Sequence, residues 1–267
     1  MTPFFREAGG GHGAHSGVVC LHSNASSSSQ WRALMELLAP TFHVLAPDSY
    51  GAGTGPAWPT DRELALADEV ALLEPVFKKA GDPFDLVGHS YGGAIALVAA
   101  ATFPKRVRAV AVYEPTLFSL IEADRPQPNA ADGIRETVRR GAEALDAGDT
   151  GLAAEHFIDF WMGKGSWART PEPRKALIAE SVRNMRGWAK CLMNEPTPLS
   201  AFSKLDIPVL YMTGAKSPAS SLGVAKLLVK ALPKVEVVEF DGVGHMGPIT
   251  HADRVNEVIA RFLGARR

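Results

Sequence analysis

Short, near-continuous apolar runs alternate along most of this chain with longer stretches whose apolar residues recur every third or fourth position. Val18-Val19-Cys20-Leu21 is one such run, and residues 42–46, 84–87 and 107–113 supply others. Each predicts a strand buried on both faces, because a strand with one wet face would alternate apolar with polar. Between them, residues 30–38 place Trp31, Leu34 and Leu38 on one helical face. Residues 61–79 repeat Leu66, Val70, Leu73 and Phe77 at 4-3-4 spacing, the signature of an amphipathic helix. Pro75 falls inside that helix and is expected to kink it. Residues 94–101 read as an Ala-rich helix. Strands separated by helices imply a mostly parallel sheet covered by helices on both faces. Sites in such α/β sheets gather at the carboxyl ends of the strands.

The alternation breaks after residue 115. Up to residue 203 the pattern is helical with no clear strand: Ile134, Val138 and Leu145 share a face, and Ile178, Val182, Met185, Ala189 and Leu192 repeat at 4-3-4-3. Phe157, Phe160, Trp161 and Trp167 cluster between them. Residues 208–212 then resume the strands, followed by a helix over 221–232, a strand over 235–240 and a last helix from near Thr250. The expected organisation is a core of residues 1–115 and 204–267, with residues 116–203 as a helical cap above the strand ends.

Composition narrows the class without changing this picture. At 46% hydrophobic and 21% charged, the 267 residues have ample material for a core. A formal net charge of -1 with no basic block argues against nucleic acid and anionic membranes as partners. No apolar run approaches the length of a membrane span, and the first 17 residues lack a charged segment followed by an apolar one. A cytoplasmic, soluble protein is the expectation. Cys20 and Cys191 make no disulfide framework, Cys20 reads as a core residue, and no Cys and His cluster suggests a metal.

The chemistry begins at Gly88-His89-Ser90-Tyr91-Gly92-Gly93, between a strand and a helix. A G-x-S-x-G pentapeptide alone is weak, but a strand before and a helix after it place the serine on a sharp turn, hydroxyl exposed, at the positive end of the helix. The flanking glycines are expected because the turn has no room for Cβ atoms. Serine is a poor nucleophile until a base takes its proton. Gly242-Val243-Gly244-His245 follows the last strand and supplies that base. The other histidines are worse placed. His12 and His15 lie in the Gly-rich N-terminal segment, His43 in a strand pattern, His156 in the helical stretch, and His251 at the start of a helix. His89 flanks the nucleophile and reads as structural; His22 reads as an organiser of its loop.

With Leu21-His22-Ser23-Asn24, Ala46-Pro47-Asp48, the serine turn and the His245 loop, the chain resembles the α/β-hydrolase-fold enzymes that carry a helical cap. The order of nucleophile, acid and histidine along the chain is the one that family uses. Most of the family places an aspartate after the penultimate strand, but here that loop, Thr213-Gly214-Ala215-Lys216-Ser217-Pro218-Ala219-Ser220, holds no carboxylate. Some members, certain haloalkane dehalogenases among them, place the acid one strand beyond the nucleophile, which points to Glu114. Asp241 and an acid-less Ser–His dyad are the alternatives. The resemblance implies an oxyanion hole from the backbone N–H groups of Tyr91 and Asn24, although Ser23 replaces the glycine common in that loop. Residues 26–29 lead into the helix at Gln30, with Ser28 or Ser29 as its N-cap.

These residues imply a serine hydrolase that cleaves an ester-like bond of a small, largely apolar substrate, with Trp161, Met185 and Trp188 lining the pocket. No cofactor or metal is implied, and the pattern is silent on oligomeric state. Two rivals remain: a hydrolase of carbon–carbon bonds in ring-cleavage products, and a non-catalytic small-molecule binder on the same fold. Serine at position 90 disfavours epoxide hydrolase and dehalogenase chemistry.

Overall fold

The computed structural model describes residues 2–10 and 17–266. His12 and His15 lie outside them. Among the described residues seven strands form one sheet: β1 (Phe5–Ala8), β2 (Gly17–Leu21), β3 (His43–Pro47), β4 (Phe84–His89), β5 (Val107–Tyr113), β6 (Val209–Gly214) and β7 (Val235–Phe240). Their order across the sheet is β1-β3-β2-β4-β5-β6-β7, with β1 antiparallel to β3 and every other pair parallel. The continuous apolar runs are the central strands; β2, β4 and β6 are buried along their whole length.

Helices α1 (Arg32–Leu38), α2 (Leu66–Ala80) and α3 (Tyr91–Thr102) lie between the early strands. Between β5 and β6 run α4 (Ser119–Asp124), α5 (Asp132–Asp146), α6 (Thr150–Met162), α7 (Ser166–Arg169), α8 (Glu172–Ser181), α9 (Met185–Met193) and α10 (Leu199–Phe202). The chain closes with α11 (Ala219–Ala231), α12 (Gly247–Thr250) and α13 (Ala252–Gly264). Helices α1 and α13 pack on one face of the sheet with Val18, Cys20, Val44 and Leu210. Helices α2, α3 and α11 cover the other face with Val19, Leu86, Val110 and Tyr211. No helix among the described residues is long and apolar enough to cross a membrane.

Several boundaries differ from the pattern, each for a local reason. Helix α2 begins at Leu66 rather than at residue 61, because Asp68 reaches back to accept from the Ala65 N–H at 2.8 Å and fixes the first turn there. Pro75 lies inside α2, which runs unbroken through it. The serine run is capped by Ser27 rather than Ser28 or Ser29, and opens with a 3₁₀ turn over Ser28–Trp31 before α1. The repeat from Ile178 to Leu192 is cut by a 3₁₀ turn over Val182–Asn184. The C-terminal helix starts at Ala252, after the short α12. Strand β1 has no counterpart in the apolar pattern: it is an edge strand, half-exposed, with one neighbour.

Helix α2 also carries Glu69, fully buried beside the turn that follows β4. The Tyr91 hydroxyl donates to its Oε1 at 3.0 Å. Burial pushes this carboxyl up to about 8, against the opposing pull of the Tyr50 N–H and the Tyr91 hydroxyl. A raised carboxyl favours the fold while it keeps its proton, so this contribution is whole below pH 4.5 and is lost as pH climbs towards 8. Glu69→Gln should therefore leave the melting temperature near wild type at pH 5 and raise it at pH 9. The difference grows by about 1.4 kcal/mol per pH unit inside that window. Parallel melting curves for both proteins across this range would refute the assignment.

Candidate active site

The turn after β4 is dictated by close packing. A Cβ on Gly88 would lie 2.5 Å from the Gly92 carbonyl oxygen, and one on Gly92 would lie 2.3 Å from that of Leu21. Only glycine fits at either position. Ser90, held between them, takes φ 55° and ψ -115°, a backbone geometry that non-glycine residues rarely adopt. Its N–H donates to Tyr113 O at 2.9 Å, which ties the turn to the end of β5. Tyr91 opens α3, so its N–H, like others in a first turn, has no acceptor within the helix.

The next strand ends in a second unusual residue. Glu114 has φ 45° and no exposed surface. Its Oε1 accepts from the Thr213 hydroxyl at 2.9 Å, the Gly214 N–H at 2.7 Å and the Ser217 hydroxyl at 2.5 Å. Its Oε2 lies 2.7 Å from His245 Nδ1. Burial alone would push this carboxyl up, but the imidazole, the Gly214 N–H and the Ser217 hydroxyl outweigh it and hold it below the ordinary value. A carboxylate against Nδ1 sets the tautomer: Nδ1–H donates to Glu114, leaving Nε2 to accept from the Ser90 hydroxyl at 2.9 Å. Ser90, His245 and Glu114 thus form one hydrogen-bonded line across three strand ends. Asp241 is exposed.

Further residues hold this line in place. The Tyr113 hydroxyl donates to Gly244 O at 2.8 Å. His89 donates from Nε2 to His245 O at 2.9 Å and accepts at Nδ1 from Gln30 Nε2 at 3.1 Å. Burial pushes His89 down to about 3, so it is neutral and can fill both roles. Gln30 Oε1 in turn accepts from the N–H and hydroxyl of Ser23 at 3.1 and 3.0 Å. His22 organises the same loop: it donates to Ser23 O at 2.8 Å and accepts from the Ser49 N–H at 3.2 Å. Ser221 Oγ lies 3.2 Å from His245 Nδ1.

A cavity opens over Ser90 and His245, and Asn24, Trp161, Met185 and Trp188 all line it. Trp161 stacks on His245, with ring centroids 4.0 Å apart and planes 29° from parallel. The two rings belong to β7's following loop and to α6, so the contact joins the sheet to the helical stretch between β5 and β6. The described residues include no group of His, Cys, Asp and Glu able to hold a metal ion.

The chain matches the family model described as the alpha/beta hydrolase fold over residues 18–252. It is similar to Lipase LipV of Mycobacterium tuberculosis, with 30% identity over 93% of this chain and 94% of that protein. It is also similar to a pimeloyl-[acyl-carrier protein] methyl ester esterase of Chromobacterium violaceum, with 26% identity over 92% of this chain and 93% of the relative. Among solved structures, MenH from S. aureus superposes with a TM-score of 0.79 at 17% identity, over 100% of this chain and 99% of that one.

The geometry separates the two candidate acids. Fluorophosphonate labelling of Ser90 should slow by orders of magnitude in Glu114→Gln, since an amide cannot stabilise the imidazolium. Asp241→Asn should label at the wild-type rate. The reverse ranking would transfer the role to Asp241.

Proposed function

Since the chain belongs to the α/β hydrolase fold family, we propose that it is a serine hydrolase that cleaves an ester-like bond of a small, largely apolar substrate through an acyl-enzyme on Ser90. The observation that carries this reading is the line Ser90 Oγ, His245 Nε2, His245 Nδ1, Glu114 Oε2, with links of 2.9 and 2.7 Å. In this mechanism the Ser90 oxygen attacks the carbonyl carbon while its proton passes to Nε2. Glu114 stabilises the imidazolium and keeps the ring oriented. The N–H groups of Tyr91 and Asn24 receive the developing oxyanion. Collapse expels the alcohol, which takes the proton from Nε2. A water molecule, deprotonated by His245, then releases the acid.

Residues 116–203 act in this reading as a cap whose inner side shapes the substrate pocket. Phe157, Trp161, Met185 and Trp188 give it an apolar wall. Ligand pockets commonly pair such walls with a few placed polar groups. Among the described residues that line the cavity there is no lysine or arginine. That disfavours the carbon–carbon hydrolase alternative for substrates bearing a carboxylate, which would enter without a counter-charge. The lipase and methyl ester esterase among its relatives are consistent with ester chemistry.

Two outcomes test the reading. Ser90→Ala should abolish hydrolysis of short p-nitrophenyl esters while circular dichroism and melting temperature stay near wild type; retained turnover in a folded variant would end the mechanism. Trp161→Ala or Trp188→Ala should change the kcat/KM ratio between short and long acyl esters. Discrimination at an apolar wall is worth about 1–3 kcal/mol per methylene, roughly 10- to 200-fold. An unchanged ratio with lowered thermal stability would assign both indoles to packing alone.

A further inference from the structure

Helix α5 carries a buried glycine in its interior, Gly141. Glycine is the poorest helix former after proline, so a glycine in mid-helix calls for a packing reason. The reason here is Met185, the first residue of α9. A Cβ on Gly141 would lie 2.5 Å from Met185 Sδ and 2.8 Å from its Cε, where ordinary contact runs from 3.4 to 4 Å. The thioether therefore rests on the α5 backbone itself, in space that any side chain at position 141 would take. An alanine there would have to push it aside by about 1 Å to restore ordinary contact.

Two features decide what yields. Met185 is 2% exposed and packs in a cluster with Ala144, Ala153, Ala154, Val182 and Trp188, and it also lines the cavity over Ser90. A close-packed interior has no spare volume, so a displaced side chain moves into the nearest void. For Met185 that void is the cavity. Helix α9 is backed on its other side and cannot retreat in place of the side chain. Gly187 lies roughly 200° round the helix from Met185. There the Trp58 indole sits on the backbone, and a Cβ would lie 2.5 Å from its Cε2 and Cζ2. One turn on, the Cys191 thiol donates to Leu64 O at 2.7 Å. Both contacts tie α9 to the segment that leads into α2. The thioether, unbranched and with several rotatable bonds, is the part free to move.

The geometry points to Gly141 as a positioning residue that holds the Met185 thioether back against α5, and so sets how long an apolar substrate chain the cavity over Ser90 admits. Gly141 acts only through Met185 and touches no substrate itself. This inference rests on the ester-hydrolase reading above and goes beyond it in naming what fixes chain length. The helix gives up stability at position 141 and the pocket gains depth, because a side chain there would move the wall inward.

The test measures kcat/KM for p-nitrophenyl esters from acetate to decanoate and for acetate esters from methyl to octyl. The chain lies on the acyl side in one series and on the alcohol side in the other. Gly141→Ala should lower the long-to-short ratio about tenfold in at least one series, the discrimination that one methylene of space gives at an apolar wall. In a Met185→Ala background the same substitution should leave the ratio unchanged, since no thioether remains to be displaced. Met185→Ala alone should raise the ratio, which keeps the inference open to refutation if Gly141→Ala does not fold. Equal ratios in wild type and Gly141→Ala, an equal fall with and without the Met185 side chain, or a ratio unmoved by Met185→Ala would each overturn the inference while leaving ester hydrolysis standing. Turnover that survives Ser90→Ala, or no turnover together with no labelling of Ser90 by short and long alkyl fluorophosphonates, would overturn the ester reading and this inference with it.

Discussion

The buried carboxylate of Glu114 is the constraint around which the other parts of the site arrange themselves. An ionised carboxyl with no exposed surface is costly unless donors surround it. Here the end of β6 and its loop provide three, from Thr213, Gly214 and Ser217, and the loop after β7 provides the imidazole of His245. The loop that most of the family uses to supply an acid is here a cradle for an acid from the neighbouring strand. Three strand ends are therefore locked to one another through a single side chain. Adjacent strands β4 and β5 both finish in left-handed backbone, at Ser90 and Glu114. Each such residue costs of order 1–3 kcal/mol and persists only where its surroundings over-determine it.

A second set of bonds fixes the histidine from behind. The relay from Ser23 through Gln30 and His89 to the carbonyl of His245 links the loop after β2 to the loop after β7. It works only if His89 stays neutral, donating from one nitrogen and accepting at the other, and its complete burial secures that. Asp48 steadies the same region by accepting from the N–H groups of Ser28 and Thr54 at 2.6 and 2.9 Å. The proposed oxyanion donor Asn24 thus sits on a loop whose neighbours are held, even though Ser23 stands where the family often has glycine.

Trp161 closes the arrangement from above. Its indole stacks against the His245 imidazole and covers one face of that ring. The helical stretch between β5 and β6 thereby touches His245 directly as well as lining the cavity over it.

Much of this was legible in the sequence, because periodicity and turn chemistry are local. The strands Val107–Tyr113 and Val235–Phe240 have the ends that the apolar pattern predicts, and the serine turn and the Gly-rich loop of His245 announce themselves by residue type and by the elements on either side. Glu114 could be reached only through the family resemblance: the loop that usually carries the acid holds no carboxylate, and some members place theirs one strand beyond the nucleophile. Strand β1 left no pattern, since an edge strand with wet surface need not be apolar. The roles of Gln30 and Ser217 left none either: their meaning lies in partners 59 and 103 residues away. Local order follows from which side chains a short segment must hide, whereas these contacts exist only once the sheet has brought its strand ends together.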